Sequence, residues 1–169
     1  MHWAERIADE LIKENPGKEE FVCAAGTSPS GRVHIGNFRD VVTPYFVTEA
    51  LRKRGKKAKL LLSWDDFDRL RKVPKNVSDV HEGFDKYIGM PYCMIPDPDC
   101  NYSSYAEANE KEYEKSLEEM NIDIEYRYQG KEYTSGRYVE GIIHAMHKRK
   151  EIYDILMKYK TQDGDEGER

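Results

Sequence analysis

Apolar positions along the chain switch between helical and strand-like spacing. Trp3, Ile7 and Leu11, flanked by Ala4, Ala8 and Ile12, recur at the spacing of one helix face, so a helix is predicted over 2–14, stopped by Pro16 and Gly17. FVCAA (21–25) is short, apolar and closed by glycine, and reads as a buried strand. Residues 34–54 return to helical spacing, with Ile35, Val42, Phe46 and Ala50 near one face, a kink expected at Pro44 and a stop at Gly55. AKLLLSW (58–64) is the clearest buried strand, a continuous apolar run suited to a parallel sheet covered on both faces. After WDDFDR comes an irregular stretch to about residue 101, carrying Pro74, Pro91, Pro96 and Pro98. Ser103 or Ser104 caps a helix predicted over 105–120, whose exposed face carries Glu107, Glu110, Lys111, Glu114 and Lys115. IDIEYRY (122–128) alternates as a third strand, and a last helix is predicted over 137–159. TQDGDEGER (161–169) has no apolar residue and is expected to be a disordered acidic tail.

Strands alternating with helices imply an α/β fold with a parallel sheet and right-handed crossovers, a Rossmann-like half unit spanning residues 1–160 without internal repeats. Composition refines this. With 169 residues, 35% charged and 38% hydrophobic, the chain can bury one core. No apolar run reaches the roughly 18 residues of a membrane span. The amphipathic, acidic N-terminus resembles neither a signal nor a transit peptide, so a cytoplasmic location without membrane partners is expected. Cys23, Cys93 and Cys100 form no CxxC pair; they read as free thiols, with neither a disulfide framework nor a zinc site. The net charge of −5 makes no general case for nucleic-acid binding. The basic run Arg52–Lys59 reads as a helix C-terminus with charges matched to its dipole.

In an open parallel sheet, ligands bind beyond the carboxyl ends of the strands. The first strand delivers GTSPSGRVH (26–34) to that edge and the second delivers Asp65–Asp68. Gly26 and Gly31 allow positive φ and close backbone approach. Ser28 and Ser30 offer hydroxyls, and the next helix begins near Val33 and His34, turning its N–H groups and positive dipole end toward the pocket. His34 and Asn37 share the face of its first turn, with Gly36 between them leaving room for a flat ring. A nucleotide fits this arrangement, and so does a plain glycine-rich turn with a capping histidine. Neither GxxxxGK[ST] nor GxGxxG occurs. Asp65, Asp66 and Asp68 suit an ammonium group, Mg²⁺ bound through water, or an exposed acidic turn. His144 and His147, three apart, lack a third metal ligand and read as a solvated face. Tyr87, Tyr92, Tyr102 and Tyr105 suit either stacking on nucleic acid or filling the domain's flank.

TSPSGRVHIGNF, followed by SWDDFDRLRKVP and YIGMP (87–91), resembles the class I aminoacyl-tRNA synthetases, and most closely the archaeal-type class I lysyl-tRNA synthetases. The opening MHWAERIADELI and SYAE (104–107) are similar too. The resemblance implies a HUP-type Rossmann catalytic domain, present here as an incomplete half with the start of a connective insertion. It implies ATP as substrate with its Mg²⁺, lysine activated to lysyl-adenylate, and transfer to tRNA(Lys). His34 and Asn37 fall on the HIGH signature and are expected to be catalytic, with Asn37 standing where most class I enzymes carry a second histidine. Ser28, Pro29, Gly31, His34, Gly36 and Asn37 are the implied ATP contacts; Gly26, Ser28, Asp65 and Asp66 are the implied amino-acid contacts. No KMSKS-like stretch occurs, and anticodon-binding helices are not recognised. A fragment or truncated synthetase is therefore expected, with a stand-alone nucleotidyltransferase or a non-catalytic binding module as alternatives. A sheet of three parallel strands leaves an open edge, through which self-association is expected.

Overall fold

The computed structural model describes residues 2–78 and 81–160; the acidic tail lies outside them. The chain divides into two compact units, Met1–Lys131 and Glu132–Arg169. In the first, α1 (Trp3–Glu14) leads into β1 (Glu20–Thr27), α2 (Ile35–Lys53) and β2 (Lys57–Trp64). A short α3 (Lys75–Ser78), two 3-10 turns and α4 (Tyr105–Glu119) precede β3 (Glu125–Tyr128) and α5 (Gln129–Thr134), which runs across the boundary. The strands pair in parallel in the order β1-β2-β3. Thr27 pairs with Trp64, and Trp64 with Tyr128, so all three carboxyl ends stand level. That common edge is what positions the site.

Leu60, Leu62 and Trp64 alternate into the main core with Val41, Tyr113, Leu117 and Ile122. A second cluster joins Ala4 and Ala8 of α1 to Phe21, Val47, Ala50 and Leu51. Helix α2 thus packs on two sides, and its buried face is Val41, Val47, Thr48, Ala50 and Leu51. The expected face of Ile35, Val42, Phe46 and Ala50 is wrong at Ile35 and Phe46, which are exposed. A helix wedged between another helix and a sheet has no single apolar stripe to read. It runs unbroken across Pro44, where the Asp40 carbonyl forgoes its helical donor.

β1 is less enclosed than FVCAA suggested: only Phe21 and Thr27 are buried, and Val22 is 53% exposed, because β1 is an outer strand among the described residues. Most of the basic run is paired within the fold. Arg52 meets Glu49 and Asp123, Arg54 meets Asp9, Lys56 meets Glu19, and Lys59 meets Glu125. Gly55, at φ +77, turns the chain out of α2.

The second unit departs from the single helix expected over 137–159. Two helices, α6 (Val139–His147) and α7 (Arg149–Tyr159), meet at Lys148, which caps both. MHKRKE straddles this break, and His144 and His147 lie on α6.

Candidate functional site at the carboxyl edge of the sheet

β1 runs extended through Gly26 to Thr27. Neither Gly26 nor Gly31 uses the positive φ open to it. What Gly26 provides is proximity: a Cβ there would come 3.9 Å from Asp65 Oδ2, so the carboxylate leaving β2 lies beside bare β1 backbone. The strands are laced together past their ends by the Asp65 N–H donating to the Thr27 carbonyl at 2.9 Å. Pro29 is fully buried and Ser28 half-buried, while Ser30 is exposed. The loop is braced from α4, where the Tyr105 hydroxyl donates to the Ser30 carbonyl at 3.0 Å.

His34 is the N-cap of α2. Its Nδ1 accepts the Gly36 N–H at 3.0 Å, which places the ring proton on Nε2 in the neutral tautomer. The ring lies tightly over Gly36, where a Cβ would stand 2.8 Å from His34 Cε1. The space expected for a ligand ring over Gly36 is therefore occupied by the imidazole itself, and the Gly36 N–H expected to face the pocket is satisfied by it. Asn37 completes a capping box: its Oδ1 accepts the His34 backbone N–H, and its Nδ2 donates to Thr27 Oγ1 at 3.2 Å. The Asn37 amide thereby ties the end of β1 to the start of α2.

The carboxylates divide by environment. Asp66 is buried and accepts the Gly130 N–H at 2.7 Å, fixing the turn from β3 into α5. Gly130 is required there, since a Cβ would come 2.9 Å from both Asp66 Oδ2 and Cys93 Sγ. Asp65 is half-buried and Asp68 exposed. Burial, then Asp68 and Asp66, hold the Asp65 carboxyl above its ordinary pKa. The segment following β2 is stitched to the YIGMP region. Leu70 N–H donates to the Met90 carbonyl, Gly89 N–H to the Leu70 carbonyl, Tyr92 N–H to the Asp68 carbonyl, and Cys93 N–H to the Asp66 carbonyl. Tyr92 and Tyr105 are buried with Phe84 beneath this segment, which favours flank filling for them; Tyr102 is 46% exposed.

Two features escaped the sequence reading. The first is a cleft of about 550 Å³ between the 28–32 loop and residues 68–74, lined in part by Arg69, Arg71 and Lys72. The second is α4, whose supposed solvated face covers the sheet end. Glu114 accepts from Trp64 Nε1 at 3.1 Å and from the Tyr128 hydroxyl at 2.7 Å, and Lys111 pairs with it. Glu110 is 4% exposed, with Oε1 lacking a hydrogen-bond partner among the described residues. Burial first, then Asp66 and Glu114, push its pKa up to about 8 from 4.5. The folded chain thus holds a proton that the unfolded chain loses, so stability falls as pH rises from about 4.5 to about 8. Between those limits the parent is expected to lose on the order of 1–3 kcal/mol relative to Glu110→Gln in urea unfolding; superimposable pH profiles would contradict this.

Cys23, Cys93 and Cys100 are free thiols. Among the described residues no group of three His, Cys, Asp or Glu side chains converges as a metal site, and no helix is long and apolar enough to cross a membrane.

The family model for class I (K) tRNA synthetases matches residues 1–168. A lysine–tRNA ligase of Pyrococcus horikoshii is 42% identical over 160 residues, covering 95% of this chain and 30% of that protein. One from Treponema pallidum is 41% identical over 162 residues, with 96% and 30% covered. One from Streptomyces coelicolor is 42% identical over 165 residues, with 95% and 28% covered. The chain spans about 30% of the length of the curated relatives it matches.

Proposed function

Because the chain belongs to the class I (K) tRNA synthetases, we propose that it supplies the first part of an adenylate site for ATP and lysine, serving transfer of lysine to tRNA(Lys) in the cytoplasm. The level pairing of Thr27, Trp64 and Tyr128 carries this reading, since it brings the capped start of α2 and the carboxylates after β2 to one edge. There the lysine carboxylate attacks the α-phosphorus of ATP. A carboxylate-oxygen-to-phosphorus bond forms, the bond to the bridging oxygen breaks, and pyrophosphate leaves. Of the implied ATP contacts, Ser28, Gly31, His34 and Asn37 are retained, while Pro29 is fully buried and Gly36 is covered by the His34 ring. His34 donates Nε2–H to a phosphate oxygen; Asn37 holds the loop at the required distance from Thr27. Gly26, Ser28 and Asp65 receive the amino acid, with Asp65 accepting its α-ammonium and Asp66 positioning it. Mg²⁺ arrives with the triphosphate as part of the substrate.

His34→Ala is expected to weaken ATP binding by about 1–3 kcal/mol, the worth of a hydrogen bond to a charged group, in calorimetric titration. Equal affinity in variant and parent overturns the assigned contact. The outer strands β1 and β3 are assigned to pairing with further strands or with a second copy of the chain. Light scattering registers such association, and a concentration-independent monomer excludes it.

A further inference from the structure

We infer that the cleft between the 28–32 loop and residues 68–74 is a phosphate-binding subsite, with Arg69, Arg71 and Lys72 as its cations. The inference rests on the adenylation reading only for the source of the phosphate. In a chain of net charge −5, this one cleft gathers, among the described residues, four cations against a single carboxylate, Asp68. Arg32 is engaged by Glu112. Arg69, Arg71 and Lys72 form no ion pair with a described carboxylate, whereas Arg52, Arg54, Lys56 and Lys59 of the 52–59 run each do. Three exposed, like-charged side chains gathered on four consecutive residues repel one another, and an anion between them relieves that repulsion.

The backbone presents them rigidly. Leu70 is 1% exposed and anchors the segment, its N–H and carbonyl bonded to Met90 and Gly89 at 2.8 Å each. Arg69 and Arg71 flank this anchor and are both exposed. The backbone is therefore already ordered when a ligand arrives, and only the three long side chains remain to be fixed. Ser28, Ser30 and Tyr92 also line the cleft. Guanidinium forks and hydroxyls in one cleft suit the non-bridging oxygens of a phosphate, and a volume near 550 Å³ falls within the range of small-ligand pockets. The phosphate has two possible sources at an adenylation site, the ATP triphosphate and the phosphodiesters at the 3′ end of an acceptor RNA.

The test uses residues 1–169 and the triple variant Arg69→Ala/Arg71→Ala/Lys72→Ala, with circular dichroism confirming the fold and the three single variants as substitutes should it fail. Inorganic tripolyphosphate is the primary probe, since it carries neither adenine nor an amino acid. At least tenfold weaker tripolyphosphate binding by the variant is expected. ATP and a short RNA ending in CCA then assign the source, by whichever loses affinity and salt dependence. Tripolyphosphate binding that is undetectable in the parent, or equal in parent and variant, overturns the subsite. A parent that binds tripolyphosphate through these cations but ATP independently of His34 overturns the His34 contact and leaves the subsite standing.

Discussion

Asp65→Asn is expected to weaken lysine binding by about 2–5 kcal/mol while leaving ATP binding unchanged, because it removes one partner of a partly desolvated charge pair. The two neighbouring aspartates are separable on structural grounds. Asp66 is buried and committed to the Gly130 N–H, so Asp66→Asn is expected to lower thermal stability as well. Asp65 lies beside Gly26, half-buried, with its carboxyl held above the ordinary range by burial and by two neighbouring carboxylates. An incoming ammonium relieves all of these at once. Calorimetry with lysine and ATP on each variant checks the split; unchanged lysine affinity in Asp65→Asn removes the carboxylate from the site.

Residues 1–169 by themselves are expected to give no robust lysine-dependent pyrophosphate exchange and no charging of total tRNA. Adenylate formation develops negative charge on the transferring phosphate and on the departing pyrophosphate, and both need preorganised donors. His34 and the loop at the start of α2 serve one side. The KMSKS-like stretch that the resemblance implies for the other does not occur in this sequence. One well-placed donor is worth roughly 2.7–4 kcal/mol, or two to three orders of magnitude in rate. Robust exchange by residues 1–169 contradicts this, and would make the Arg69–Lys72 cations sufficient as the second clamp.

Much of this edge was legible because it rests on local signals. AKLLLSW is a strand in any compact context, and HIGN follows a glycine-rich turn that only a helix start explains, so β2, α2 and the juxtaposition of Gly26–Asn37 with Asp65 and Asp66 followed from the pattern. What was not legible depends on neighbours distant in sequence. Glu110 alternates with charged residues like any solvated helix face, yet α4 sits over the ends of β2 and β3, and burial turns its carboxyl into a weak acid. Ile35 has helical phase with Val42, but the first turn of α2 projects past the sheet and leaves it 81% exposed. The break at Lys148 has no glycine or proline to announce it. Arg69, Arg71 and Lys72 were read as part of a motif without a task, because only the antiparallel pairing with 89–92 shows that Leu70 turns inward and they turn out.

The central claim is that a nucleotide and an amino acid meet at the carboxyl edge of β1 and β2. The most direct measurement is an NMR titration of isotopically labelled residues 1–169 with a non-hydrolysable lysyl-adenylate analogue. The expected result is saturable amide shifts concentrated in Gly26–Asn37 and Asp65–Lys72, reduced in His34→Ala and in Asp65→Asn. Shifts confined to other surfaces, or none at millimolar analogue, would contradict it.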